Sequence, residues 1–139
     1  MKLVESFLRE YFPFIARYSK LSEILSDKDL ASLGDAYINF VYSLALSKIA
    51  GKPVGRKIES SLLSSALKKS GIRSLLPPRT DRHRQADAAE ALIVFGWLSG
   101  VISIKETLDI LVRDADMVDN LCAILELILD RSKILQRSL

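Results

Sequence analysis

The sequence of 139 residues has very little cysteine or histidine, with one of each. A single cysteine excludes an intrachain disulfide framework, and one Cys with one His provides too few ligands for a structural zinc site. Cys122 lies in an apolar stretch and is predicted to be a small buried hydrophobe. No apolar run reaches the ~18 residues that a membrane span needs, and the first residues lack the apolar region of a signal peptide. We therefore expect a cytoplasmic protein with no membrane partner.

Strand patterns, internal repeats and low-complexity tracts are also missing. The apolar share of 49% is ordinary for a globular protein, and the length suits one helical domain over residues 1–139. Apolar residues instead recur at helical spacing between breaking and capping residues. The sequence therefore predicts an all-α fold of about six helices.

The boundaries of these helices follow from prolines, glycines and capping pairs. The predicted helical segments are residues 3–18 with a break at Pro13, 27–50 after a Ser26/Asp29 capping pair, 56–69, a segment around 86–98 ending at Ser99-Gly100, 103–111 after a Ser103/Glu106 capping box, and about 118–136. Residues 72–84 contain two prolines and are predicted to form a basic loop. Gly34 lies inside a predicted helix, where a glycine usually lets another backbone or a ligand come close.

Three carboxylates are embedded in apolar helical stretches. Asp87 and Glu90 are three residues apart on a helix that is apolar almost all round, and Asp35 lies in a similar stretch. One interpretation is helix capping, with Asp87 and Glu90 as a capping box and Asp35 as an N-cap after a break at Gly34. The other is a cation site, because three hard oxygen ligands suit Mg²⁺ and buried carboxylates need a positive partner. Mg²⁺ held there would activate water and neutralise charge on a phosphate.

Basic side chains precede Asp87 and Glu90 along the chain, and the net charge is +3. Guanidinium groups match phosphate geometry, and each phosphate contact adds salt-dependent affinity for a nucleic acid. For any single one of these basic residues, the alternative to RNA binding is a side chain that is simply exposed to solvent. A histidine between two arginines is more often an exposed residue than a catalytic base. The candidate RNA-binding residues are Lys57, Arg79, Arg82, His83 and Arg84.

Two motifs in this order resemble the ribonuclease III endonuclease domain. They are Leu33-Gly34-Asp35-Ala36 and Ala86-Asp87-x-x-Glu90-Ala91-Leu92-Ile93, and the resemblance extends over about residues 20–110. The length is most similar to that of the compact Mini-III and archaeal members, which lack a double-stranded-RNA-binding domain. The resemblance implies a homodimeric, magnesium-dependent endoribonuclease acting on double-stranded or structured RNA, with Mn²⁺ expected to substitute for Mg²⁺. It also implies that Asp35, Asp87 and Glu90 are the catalytic, metal-binding residues.

One position departs from the family pattern. The family usually has a glutamate four residues before the signature aspartate, where this sequence has Ala31. The alternative hypothesis is therefore a catalytically inactive RNA-binding or scaffolding homodimer of the same fold, and a third is a structural helical dimer whose acids only cap helices. Four apolar residues are predicted to form the dimer interface: Phe95, Trp97, Leu125 and Ile128. The alternative is that they are buried in the core of the domain.

Overall fold

The computed structural model of the chain describes residues 7–132, and this part of the chain is helical and contains no strand. Its α-helices are α1 Leu8–Tyr11, α2 Leu21–Leu25, α3 Lys28–Ala50, α4 Ser60–Lys69, α5 Arg82–Leu98, α6 Ile104–Leu111 and α7 Met117–Arg131. Short 3₁₀ segments lie at Pro13–Arg17 and Ile72–Leu75. The all-α prediction is confirmed. The described residues form seven α-helices, where about six were predicted. The segment predicted over 3–18 forms the short α1, and α2 is an additional helix that follows it.

The centre of the fold is α5, which packs against α2, α3, α4 and α7. Most of its side chains from Gln85 onwards are buried, on all sides of the helix, as its nearly uniform apolar composition predicted. Gly96 allows a close contact with α7, because a Cβ atom there would lie 2.5 Å from Cδ1 of Ile128. No helix within residues 7–132 has both the length and the apolar character needed to cross a membrane.

The long helix α3 begins one residue after the predicted position and ends where predicted. Its N-cap is Asp27, whose carboxylate accepts a hydrogen bond from the Leu30 amide at 3.0 Å. The predicted cap Ser26 is wrong, because its hydroxyl donates back to the carbonyl of Ser22, the second residue of α2. Gly51 ends α3 with φ +71°, a left-handed conformation that favours glycine.

The helix predicted from residue 56 begins only at Ser60. The preceding segment is extended because polar side chains of α3 take up its backbone hydrogen bonds. The Ser43 hydroxyl donates to the Arg56 carbonyl and accepts from the Arg56 amide, each at 2.9 Å. Asn39 Oδ1 accepts from the Ile58 amide at 2.7 Å. Contacts between distant parts of the chain therefore override the helical pattern of residues 56–59.

The C-terminal half follows the predicted caps more closely. Ser103 and Glu106 form the predicted capping box at the start of α6. Asp116 caps α7, which ends at Arg131 because Ser132 is extended. The predicted end near residue 136 is therefore too late. Residues 133–139 lie outside the described part of the chain, as do residues 1–6, which include the start of the first predicted helix. Cys122 is buried, as predicted.

Most of the residues predicted to form a dimer interface are in the core. Phe95, Leu125 and Ile128 are buried, so for these three the alternative of core packing is correct. Trp97 is half-buried and stacks on Tyr37, with ring centroids 4.7 Å apart. The large apolar side chains that remain exposed on α3 are others: Leu33, Phe40, Leu44 and Ile49.

Candidate functional site

The two acid-bearing helices, α3 and α5, meet at Gly34. A Cβ atom at this position would lie 2.5 Å from the carbonyl carbon of Glu90 and closer still to its oxygen. The absence of a side chain therefore lets the backbone of α5 rest directly on α3, as the glycine inside the helix predicted. Since Asp35 follows Gly34, this contact brings its carboxylate next to that of Glu90.

The helix-capping interpretation of the acids is wrong. The N-cap of α5 is Asp81, whose carboxylate accepts from the Arg84 amide at 2.9 Å. Asp87 and Glu90 thus lie in the second and third turns of the helix, where backbone amides are already bonded within the helix. Helix α3 is continuous through Asp35, which is no cap either.

All three carboxylates line one cavity of about 690 Å³, which we call the acidic cavity. Glu90 is buried at 6% exposure, Asp35 is half-buried and Asp87 is exposed. The residues that line it are Lys28, Ala31, Ser32, Asp35, Lys57, Ile58, Glu59, Ser60, Leu63, His83, Ala86, Asp87 and Glu90. The cavity lies between α3, α5 and the start of α4, and Asp35, Asp87 and Glu90 come from two different helices.

The buried position of Glu90 makes its carboxyl group hard to ionise. Burial raises the pKa of Glu90 to about 8, and a hydrogen bond with the Asp35 carboxyl group and the negative charges of Asp35 and Asp87 act in the same direction. The positive charge of Lys57 opposes this shift in the pKa. Crowded carboxyl groups of this kind are relieved when a cation binds between them, so the donor set suits a hard divalent ion.

The acids do not form a ready-made metal site. Between residues 7 and 132, no three His, Cys, Asp or Glu side chains converge closely enough to hold a metal ion. The exposed side chain of Asp87 is the one with most freedom to change rotamer. Binding of an ion by all three acids would therefore need a local side-chain rearrangement.

Asn39 connects the acidic residues to the basic segment before α4. Its Nδ2 donates to the Asp35 carbonyl at 2.8 Å and to Asp35 Oδ1 at 3.0 Å, while its Oδ1 accepts from the Ile58 amide. It thereby orients the Asp35 carboxylate and places Lys57 beside the cavity. This role of Asn39 was not predicted from the sequence, although a polar residue four positions after Asp35 on an apolar helix could have indicated it.

The five candidate RNA-binding residues do not share one location. Lys57 and His83 line the acidic cavity. Arg84 lines a smaller neighbouring pocket. Arg79 and Arg82 are exposed and are not among the residues that line the acidic cavity. The predicted loop is also shorter than expected, because the first turn of α5 begins at Arg82 and includes the next two residues.

Three further residues of the cavity were missed from the sequence. Lys28 is the first residue of α3, and its ammonium group adds a cation that no basic cluster in the sequence pointed to. Glu59 is the residue before α4 and adds a fourth carboxylate to the lining. Ser32 lies one turn before the Asp35 position. All three reach the cavity only through the packing of α3, α4 and α5.

The pH dependence of stability should report the state of Glu90. Its pKa of about 8 in the folded protein exceeds the ordinary 4.5, so the folded state binds this proton more tightly than the unfolded state. The resulting stabilisation is complete below about pH 4.5, declines as pH rises and is lost above about pH 8. We expect the free energy of unfolding of Glu90→Gln to increase relative to that of the parent as pH rises through this window. Urea unfolding in the presence of a chelator measures this difference.

The control for this prediction is Glu10→Gln, which changes an exposed glutamate on α1. Its pH profile should run parallel to that of the parent. If the profile of Glu90→Gln were also parallel, the assignment of a proton to Glu90 in the folded state would be wrong.

A family model described as ribonuclease III matches residues 28–127, which is more than half of the chain and includes α3 to most of α7. No curated protein matches the chain. The matched region contains the glycine contact and all four acids that line the cavity.

Proposed function

The chain belongs to the ribonuclease III family, and from this premise we propose that it is a magnesium-dependent endoribonuclease that hydrolyses phosphodiester bonds of double-stranded or structured RNA. The observation that carries the proposal is that Asp35, Asp87 and Glu90, which come from two helices, line the same cavity. The family match supports RNA cleavage as the reaction class. The compact Mini-III or archaeal subtype stays a prediction.

The three acids would hold Mg²⁺, or Mn²⁺ in its place. A bound divalent ion supplies positive charge to phosphate oxygens and makes water a better nucleophile at neutral pH. Glu90 provides the buried, fixed carboxylate, held against α3 by the contact with Gly34. Asn39 restrains Asp35 by two hydrogen bonds, so that Asp87 is the acid free to adapt to the substrate.

The basic residues would bind the RNA backbone. Lys57 and His83 lie in the cavity with the acids, and Arg84 lies next to it. Arg79 and Arg82 are exposed nearby in the chain, where they can reach phosphates further along the RNA. Side chains on a protein surface read A-form RNA mainly through its shape, its phosphates and its 2′-hydroxyl groups, so we expect weak sequence preference.

Incubation with a long RNA duplex tests the proposal. We expect fragments with 5′-phosphate ends in the presence of Mg²⁺ or Mn²⁺, and intact RNA when a chelator is added. Single-stranded RNA without secondary structure is the substrate control. Cleavage that persists in the chelator, or an intact duplex at stoichiometric protein with Mg²⁺, would contradict the proposed activity.

Lys57 gives a prediction about RNA affinity. We expect Lys57→Ala to weaken binding to duplex RNA several-fold and to reduce the slope of log affinity against log salt by about 1, because one phosphate contact is lost. Lys105→Ala is the matched control, since Lys105 is exposed on α6 and forms an ion pair with Asp109. An unchanged slope for Lys57→Ala would show that Lys57 does not contact the RNA.

A second candidate function is favoured by Ala31. This residue lines the acidic cavity and is 5% exposed, so no carboxylate projects from the position where the family usually has glutamate. The alternative is an inactive RNA-binding or scaffolding homodimer. Binding of duplex RNA that is insensitive to Mg²⁺, together with intact RNA at high protein concentration, would distinguish this function from the nuclease.

We also propose that the chain forms a homodimer through α3. Leu33, Phe40 and Leu44 are spaced by seven and four residues, which places them on one face of the helix. Their exposures are 43%, 60% and 36%, which are high for large apolar side chains. A self-complementary contact of this stripe with its copy would remove these side chains from water and place two acidic cavities in one assembly.

Phe40→Glu is expected to give a monomer, because a carboxylate at the centre of the stripe would be buried without a partner. Sedimentation velocity over a range of concentrations measures the change. The matched control is Ile49→Glu, since Ile49 is 62% exposed on the same helix but lies nine residues away, on the opposite face. A parent that is monomeric at high concentration, or a dimer that survives Phe40→Glu, would contradict this interface.

A further inference from the structure

A second pocket adjoins the acidic cavity, and we call it the Thr80 pocket. Its lining residues are Leu25, Ser26, Asp27, Lys28, Leu76, Pro77, Thr80, Arg84 and Asp87. Lys28 and Asp87 also line the acidic cavity, so the two openings lie side by side on the same surface. A molecule that passes over the acids can therefore reach both.

The two openings differ in size and in character. The Thr80 pocket has a volume of about 160 Å³, against about 690 Å³ for the acidic cavity. A cavity of about 150 Å³ in a protein interior takes up one benzene ring. Leu25, Leu76 and Pro77 provide apolar walls. The pocket therefore suits a single flat ring system, whereas the larger cavity suits a charged backbone.

The lining of the Thr80 pocket carries charges of both signs. Lys28, the first residue of α3, and Arg84, the third residue of α5, are exposed there, and Asp27 and Asp87 also line the pocket. The two exposed cations can bind the phosphates on either side of a nucleotide. An apolar slot beside these cations matches the base of that nucleotide.

Two hydrogen bonds hold Thr80 in place. Gln85 Nε2 donates to the Thr80 carbonyl at 2.9 Å, and the Thr80 hydroxyl donates to the Pro77 carbonyl at 2.6 Å. Gln85 is buried behind Thr80 and does not line the pocket. Thr80 and Pro77 therefore form a fixed wall of the pocket.

We propose that the Thr80 pocket binds one unpaired nucleobase of a structured RNA whose backbone lies across the acidic cavity. This inference rests on the proposed function and gives it a substrate preference. A fully paired duplex keeps its bases stacked inside the helix and cannot fill the pocket. An RNA with one unpaired nucleotide beside the cut site can fill it without breaking a base pair.

The test compares two RNA duplexes of the same sequence, one fully paired and one with a single unpaired adenosine near the cleavage site. We expect the parent to cleave the second about tenfold faster, which corresponds to about 1.4 kcal/mol. In Ser26→Trp an exposed rim residue becomes an indole that fills the pocket, and the ratio of the two rates should fall to about one. Ser22→Trp is the matched control, because Ser22 is exposed on α2 outside the pocket lining, and it should keep the ratio of the parent.

Two further arms separate the pocket from the nuclease activity. Replacement of the unpaired adenosine by an abasic nucleotide should abolish the preference, and a preference that persists would point to backbone flexibility and overturn the proposal.

An unpaired 2-aminopurine should change fluorescence on binding to the parent and to Ser22→Trp but not to Ser26→Trp. If no RNA is cleaved and this signal is present, the nuclease function fails and the pocket stands. Equal cleavage of both duplexes, or a signal that Ser26→Trp retains, overturns the pocket.

Discussion

Asp87→Asn is expected to lower the rate of duplex RNA cleavage in Mg²⁺ by at least about a hundredfold, because the proposed metal site loses one of its three negative charges. The amide has the same shape as the carboxylate, so the loss is one of charge rather than of packing. Asp87 is exposed at the cavity and makes few demands on the fold. A lower rate can therefore be attributed to chemistry and not to unfolding.

Asp114→Asn is the matched control for this prediction. Asp114 is an exposed aspartate in the turn between α6 and α7 and does not line the acidic cavity. Single-turnover cleavage rates and thermal unfolding should be measured for the parent and both variants. We expect Asp114→Asn to match the parent in both measurements. Parental cleavage by Asp87→Asn would show that Asp87 has no part in the reaction.

Asp87→Asn should also act on Glu90. The charge of Asp87 is one of the causes of the raised pKa of Glu90, so its removal should lower that pKa towards the ordinary range. The fall in stability with rising pH should then be smaller in Asp87→Asn than in the parent. This readout depends on the proximity of the two acids and not on any activity.

Gly34→Ala is expected to destabilise the protein by about 3 kcal/mol or more, which lowers the melting temperature by roughly 10 °C for a chain of this size. The added methyl group would meet the carbonyl group of Glu90, which is backbone and cannot move to another rotamer. Helices α3 and α5 would have to separate. Since this contact also sets Asp35 beside Glu90, any folded fraction should lose cleavage as well.

Gly55→Ala provides the control for Gly34→Ala. A Cβ atom at Gly55 would meet nothing within 4 Å, and its backbone conformation is one that alanine can adopt. This variant should be as stable as the parent or slightly more stable, because alanine restricts the unfolded chain. Circular dichroism melts of both variants decide the question. A melting temperature of Gly34→Ala equal to that of Gly55→Ala would contradict the close contact between the helices.

The candidate site was open to prediction because its residues violate a local rule. Acids inside an apolar helix are expensive, so Asp35, Asp87 and Glu90 can be noticed without knowledge of the fold. Gly34 was noticed for a similar reason, as a weak helix former in the middle of a long helix. Residues that follow the ordinary rules stayed hidden, and Asn39 is the clearest of them.

The errors at the starts of α4 and α5 have different physical causes. Residues 56–59 have a helical pattern, but Asn39 and Ser43 bind their backbone in an extended form, and no local pattern records a partner 13 or 19 positions away. At the start of α5 the signal is local, because the Asp81 carboxylate caps the helix through the Arg84 amide three residues later. There the cap outweighs the loop tendency of the preceding prolines.

The sequence by itself determined the helical class, the central buried helix and the identity of the acids, because apolar periodicity and buried charge are properties of short stretches of chain. Only the tertiary structure decided which surfaces face one another. It placed Asp35 beside Glu90 through a contact between two backbones, moved Phe95, Leu125 and Ile128 into the core, and put the Thr80 pocket next to the acidic cavity. These features depend on the packing of segments that are far apart in the chain, which local pattern does not record.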